Sequence, residues 1–134
     1  MKKIYCTFLF VVVIFLLTPF RLPAQPGTSS KDSLEANSTL KSGKAIYLKN
    51  CSGCHGDKGQ GFAGPNLTDK YWLHGGAIKD IMTSIQEGIP DKGMIAWKIV
   101  FSPGEIQTIT DYVRALQGTN PPKAKKPEGI LYNG

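Results

Sequence analysis

Residues 51 to 55 read CSGCH: two thiols three positions apart, with an imidazole directly after the second. Thiolates and imidazoles bind metals, and paired thiols can close a disulfide or exchange one. Few other side chains in the chain could complete such a centre. His74 lies in WLHGG, Met82 in DIMTS and Met94 in DKGMIAW. The remaining cysteine, Cys6, sits within an apolar N-terminal run and precedes most of it, so it reads as filler of that run.

Four chemistries compete for CSGCH. A structural zinc ion needs four ligands, normally from a second Cys or His pair. Beyond Cys51, Cys54 and His55 only His74 is left to offer one. A thioredoxin-type redox pair opens a helix in a βαβ setting. Here the pair follows a helical pattern and no strand pattern is visible. A structural disulfide is permitted outside the cytoplasm, but it explains neither His55 nor the glycine-rich segment after it. Covalent haem explains both. Two thiols can add across the two vinyl groups, which brings the next residue under the ring, where an imidazole can bind iron. C-x-x-C-H is the signature of that attachment. The expected cofactor is therefore one haem c, linked through Cys51 and Cys54, with His55 on its iron.

The sixth ligand has three candidates. Met82 falls on the apolar stripe of a helix, where methionine serves as core filler. His74 would give a bis-histidine haem, although a loop histidine is more often a surface residue. Met94 follows Gly93 in a loop well downstream, which could cross the opposite face of the ring, with Gly93 allowing close backbone approach. Met94 is the favoured ligand. Filling both axial positions with His and Met raises the reduction potential and suits electron transfer rather than oxygen or peroxide chemistry. On the His55 side, Pro65 in GPNL sits in a stiff turn, and its carbonyl is a candidate acceptor for the other imidazole N–H.

These residues need elements to hold them. Leu40, Gly43 and Tyr47 share one face of a helix expected from Thr39, capped by Ser38 or Thr39. GDKGQGFAGPNLTD is rich in glycine and aperiodic, a long loop of the kind that wraps a ligand. Ile78, Ile81, Met82 and Ile85 mark a second helix with Gly88 beyond its end. Ser102, Pro103 and Glu105 fit N-cap, N1 and N3 of a third. There Ile106, Ile109, Val113 and Leu116 form the stripe, Tyr112 lies beside it, and Gly118 ends it. The reading is all-α, about three helices with long loops and no strand, enclosing something large.

Residues 1–25 read as an export segment, with Lys2 and Lys3 ahead of the apolar run from Phe8 to Leu17 and cleavage near Ala24 or Gln25. An uncleaved segment would instead tether the chain to a membrane. Either way the rest lies outside the cytoplasm, periplasmic or otherwise extracytoplasmic, soluble or anchored to the cytoplasmic membrane. Residues 26–38 read as a flexible spacer, 39–118 as the domain, and 119–134 as an extended Pro- and Lys-rich tail. The net charge of +6 drops to +3 without Lys2, Lys3 and Arg21. That balance, with scattered lysines, excludes a nucleic-acid role.

GKAIYLKNCSGCHGDKGQG, GPNLTD and GMIAW, followed by a terminal amphipathic helix, together resemble class I cytochrome c over residues 40 to 118. The resemblance implies a helical fold around one haem, with Cys51 and Cys54 as thioether positions, His55 as proximal and Met94 as distal ligand. Pro65 matches the proline that orients the proximal histidine. Gly43 and Tyr47 match the first-helix residues that cross the last helix, here near Ile109 and Tyr112. Within that class, GPNLTDKYWLHGG and IMTSIQEGIPDKGMIAW are similar to the C-terminal haem domain of the dihaem subunit III of cbb-type oxidases, and the tail is similar to tails of that group. That subunit carries two C-x-x-C-H motifs and an internal anchor. This chain has one motif, one apolar segment, and Ile95 where proline often follows the methionine.

The implied function is a single-haem electron carrier, cycling Fe(III)/Fe(II), with no substrate bond made or broken. Its donor would be a quinol-oxidising complex or a dehydrogenase, and its acceptor a terminal oxidase or reductase. Lys49, Lys58 and Lys92 could border the haem edge and attract an acidic partner. The alternatives are a haem subunit fixed within an oxidase or dehydrogenase, and a haem peroxidase or gas-binding protein, which would need an open sixth position.

Overall fold

A computed structural model describes residues 30–134. The expectations for the export segment and the start of the spacer lie outside the described residues. Four α-helices are present among the described residues: α1 Ser30–Asn50, α2 Ser52–His55, α3 Ile78–Glu87 and α4 Pro103–Leu116. Two short 3₁₀ turns, Pro90–Lys92 and Trp97–Ile99, lie between α3 and α4.

The core forms where three helices meet. Tyr47 from α1, Ile81 and Ile85 from α3, and Ile106, Ile109, Val113 and Leu116 from α4 are buried together. These are stripe positions expected from helical spacing; of the others expected, Ile78 and Leu40 stay exposed and Met82 is half-buried against the core. α1 and α4 cross closely because Gly43 has no side chain: a Cβ there would lie 2.7 Å from Tyr112 Cβ and 3.2 Å from the Thr108 carbonyl carbon. The ring of Tyr47 packs tilted against Tyr112, centroids 5.3 Å apart. The expected crossing is thus present, centred on Thr108 and Tyr112.

Helix ends follow their cap chemistry. Ser102 Oγ accepts from the Glu105 N–H, and the Glu105 carboxylate accepts from the Ser102 N–H at 2.9 Å, completing the capping box. The Ser102 N–H and then the Ser102 hydroxyl, at 2.8 Å, donate to the Glu105 carboxylate and hold that carboxyl below its ordinary range. Gly88 ends α3 with φ 68°, as expected of a C-terminal glycine.

Three differences from the sequence reading stand out. α1 begins at Ser30, so residues 30–38, read as spacer, are helical. Nothing in that stretch interrupts it, because no glycine or proline occurs between residues 30 and 42. A two-stranded antiparallel ladder also exists where none was expected. β1, Tyr71–Trp72, pairs with β2, Ile130–Leu131, in the register Tyr71 to Leu131 and Trp72 to Ile130. Strands of two residues leave too short a pattern for periodicity to reveal. Finally, the tail is extended in conformation but does not leave the domain. It returns across it, with the Lys125 N–H on the Gln60 carbonyl and the Tyr132 N–H on the Lys70 carbonyl.

Candidate haem site

α1 runs into CSGCH, and the Cys51 N–H still bonds to the Tyr47 carbonyl at 2.8 Å. The next turn, α2, carries Cys54 and His55. A turn this short leaves its last carbonyls unpaired, and the glycine-rich loop supplies their donors. The Phe62 and Gly64 N–H groups bond to the Cys54 carbonyl, and the Gly61 N–H bonds to that of His55 at 2.7 Å. The loop is therefore built around the histidine. Tyr47, buried in the core, donates its hydroxyl to the Gly56 carbonyl at 2.8 Å and ties the loop's start to α1. Burial raises the Tyr47 phenol well above its ordinary range, keeping it the neutral donor.

His55 Nδ1 lies 3.0 Å from the Pro65 carbonyl. A carbonyl only accepts, so Nδ1 carries the proton and Nε2 keeps a free lone pair. Burial lowers the imidazole pKa, the Pro65 bond opposes that, and the Lys125 charge adds to the lowering. Neutral imidazole is the metal-ligating form. Gly64 lies against the ring: a Cβ there would fall 2.8 Å from His55 Cε1 and 2.9 Å from Nδ1.

Met94 is half-buried and forms a bridge with Ile89. The Ile89 N–H donates to the Met94 carbonyl at 2.8 Å, and the Met94 N–H to that of Ile89 at 3.1 Å. The turn between them, Pro90–Lys92, closes at Gly93 in the left-handed region, φ 78°. Gly93 thus serves the turn and not a close approach, since a Cβ on it would meet nothing within 4 Å. The close approach belongs to Gly88, where a Cβ would lie 2.5 Å from the Met94 and Ile95 carbonyl oxygens.

A cavity of about 980 Å³ lies between these walls, at the upper end of cofactor-sized clefts. Cys51, Cys54, His55, Pro65 and Met94 all line it. His74 lines it too, from an exposed position, whereas Met82 packs against the core and does not reach it. Of the three lysines proposed for its border, Lys92 lines it; Lys49 and Lys58 do not. The rest of the lining is largely apolar, with Trp97, Phe101 and Ile85 among it. Burial, then the nearby Cys54, push the Cys51 thiol up to about 11. Cys51 is therefore a neutral thiol at neutral pH, and a nucleophilic step at its sulfur requires removal of that proton.

The donor set fits haem. Both cysteines are free thiols, the histidine has its outer nitrogen satisfied and its inner one available, and a thioether sits in the same apolar cleft. A further feature agrees: Trp72 lines the cavity, and its indole N–H is buried without a partner. Such a donor costs roughly 1–3 kcal/mol unless an acceptor is supplied, and a haem carboxylate would be one. Sequence reasoning missed Trp72, Gly64, Lys125 and Glu128. Trp72 stood in the quoted stretch YWLHGG, but only tertiary structure reveals that its N–H is unpaired.

Solved structures share this architecture. Cytochrome cL from Methylophaga aminisulfidivorans MPT superposes with a TM-score of 0.56 at 21% identity, covering 75% of this chain and 74% of that one. Cytochrome cL from Hyphomicrobium denitrificans gives 0.57 at 25% identity, covering 71% and 63%. The fold is that of a c-type cytochrome. A family described as cytochrome c oxidase, cbb3-type, subunit III matches residues 38–113, and the chain belongs to that family. Curated relatives include the cbb3-type cytochrome c oxidase subunit FixP of Azorhizobium caulinodans, 39% identical over 71% of this chain and 38% of the relative. Subunit CcoP of Azospirillum sp. is 37% identical over 59% and 31%. The chain thus spans about a third of the length of these relatives. Haem-based electron transfer is the chemistry of this family of cytochromes.

Proposed function

We propose that this chain carries one haem c, attached through Cys51 and Cys54 and ligated by His55 and Met94, and passes single electrons in an extracytoplasmic respiratory chain. The observation that carries the reading is the cavity that brings both thiols, the Pro65-anchored imidazole and the Met94 thioether together. When bound, haem would supply one-electron Fe(III)/Fe(II) cycling. The chain's own residues do the rest. Pro65 and Gly64 fix the plane and tautomer of His55. The Ile89 bridge fixes the Met94 backbone. Ile85, Trp97 and Phe101 exclude water, and Trp97 and Phe101 stack at 5.4 Å.

Donor and acceptor would be proteins: a quinol-oxidising complex or dehydrogenase on one side, a terminal oxidase or reductase on the other. A second reading, a haem subunit held within an oxidase, is favoured by the names of the FixP and CcoP relatives. Among the described residues no helix is long and apolar enough to cross a membrane.

The test is expression in a compartment with haem-maturation machinery, followed by spectra of the oxidised and reduced protein. Haem that survives denaturation supports both thioethers, and Cys51→Ala or Cys54→Ala should each weaken attachment. Met94→Ala should convert a six-coordinate spectrum to one with an open or replaced position, while His74→Ala should not. The reverse pattern would assign the distal ligand to His74. The absence of a Soret band would sink the haem reading. Native mass distinguishes a free carrier from a complex subunit.

A further inference from the structure

The C-terminal segment beyond the family match is bound to the cavity at several points. The Lys125 N–H bonds to the Gln60 carbonyl at 2.8 Å, and Asn66 Nδ2 donates to the Lys125 carbonyl at 3.2 Å. Asn66 is buried and also accepts from the Thr68 N–H and hydroxyl through its Oδ1. Further along, Gly129 (φ 104°) passes so close to the Trp72 backbone that no Cβ would fit, and β2 then pairs with Trp72. Tyr132 ends the strap under Arg114, 5.9 Å from ring centroid to guanidinium. Lys125, Glu128 and Gly129 line the cavity.

Two opposite charges arrive with this strap. Lys125 Nζ is 3.5 Å from the carbonyl of Gly64, the residue packed on the His55 ring, and 3.0 Å from the Glu128 carboxylate. Both side chains are only 35% and 40% exposed, so solvent screens them incompletely. We propose that the strap is a wall of the haem site and that Lys125 and Glu128 on it set the reduction potential in opposite directions, Lys125 raising it and Glu128 lowering it. This rests on the haem reading above. Reduction adds an electron to the centre, so a fixed cation beside the proximal ligand favours the reduced form and an anion disfavours it. The strap's backbone bonds do not involve either charge, so neutral variants keep it in place.

The test is redox titration of the haem-loaded chain with Lys125→Gln, Lys125→Arg and Glu128→Gln. Lys125→Gln should lower the equilibrium constant for reduction about threefold to tenfold, where tenfold is about 59 mV for one electron. Glu128→Gln should raise it by a similar factor, and Lys125→Arg should restore the wild-type value. A merely structural strap would move both neutral variants the same way, or neither, and either result overturns the proposal. Should Lys125→Gln fail to load haem, a Glu128→Gln value at or below wild type overturns it alone, and a rise upholds it. A wild-type chain without covalent haem would refute the parent reading instead, a result distinct from unmoved potentials in loaded protein.

Discussion

Gly64→Ala tests how tightly the wall beside His55 is built. The new methyl carbon would fall 2.8 Å from His55 Cε1, 2.9 Å from Nδ1 and 3.1 Å from Nε2. Comfortable carbon contacts lie near 3.5–4.0 Å, so something must yield by about 0.7 Å. The backbone cannot move freely, because the Gly64 N–H is bonded to the Cys54 carbonyl at 2.8 Å. If the ring moves instead, the 3.0 Å Nδ1 to Pro65 bond lengthens to about 3.7 Å, beyond a hydrogen bond. Overpacking costs about 1–3 kcal/mol and the lost bond about 1, giving roughly 2–4 kcal/mol in all. Denaturant unfolding of the haem-loaded protein should show a loss of this size. The less basic imidazole should also raise the reduction potential. Gly53→Ala is the matched control: it lies in the same motif, in α2, and its Cβ would meet nothing within 4 Å. Equal stability of Gly64→Ala and Gly53→Ala would refute the close-packed wall.

Three further outcomes are expected. Gly43→Ala places a methyl against Tyr112 Cβ and the Thr108 carbonyl, so despite a gain in helix propensity of about 1 kcal/mol it should destabilise by about 1–3 kcal/mol; stabilisation would contradict the crossing. Trp72→Phe removes the unpartnered indole N–H, and if haem supplies its acceptor the loaded protein should lose about 1–3 kcal/mol, whereas an unchanged or higher unfolding midpoint would show that the donor has no acceptor. Ser102→Ala should cost about 1 kcal/mol near neutral pH. The Glu105 carboxyl it supports has a folded pKa below the ordinary 4.5, so its contribution is present above that value and fades as pH falls through the folded pKa. The gap between wild type and Ser102→Ala should therefore narrow in acid, and a gap constant with pH would count against the reciprocal cap.

Which parts were legible follows from the range of the interactions that made them. α3 and α4 were readable because their information is local: Ile81, Ile85, Ile106 and Ile109 repeat at helical spacing, and Ser102 with Glu105 is a cap written within four residues. The Pro65 carbonyl was readable as an acceptor candidate because a proline turn shortly after CSGCH leaves few other uses for it, and the 3.0 Å contact is where that reasoning placed it. The start of α1 was not readable, because polar helix-permissive residues resemble a spacer when no apolar stripe marks them. The strap was invisible for a different reason. Its contacts to Gln60, Asn66 and Trp72 span some 60 residues, and nothing in PPKAKKPEG names those partners.

The two walls of the cavity hang from the core by different means. The wall beside His55 is a loop folded onto the carbonyls of α2, each bond short in sequence, with Tyr47 anchoring it from the core through its hydroxyl. The wall that carries Met94 hangs from the end of α3. Ile81 and Ile85 seat that helix, and Gly88 turns the chain with a positive φ where a side chain would strike the Met94 and Ile95 carbonyls. Met94 is thus placed by the C-terminal cap of the helix that also carries Met82. Both methionines pack against the core but only Met94 lines the cavity, and what separates their positions is a turn at Gly88. Spacing alone could rank the two, since Met82 sat on the stripe and Met94 in a loop. The physical reason lies in the backbone, which leaves the helix at Gly88 before Met94 reaches the cavity lining.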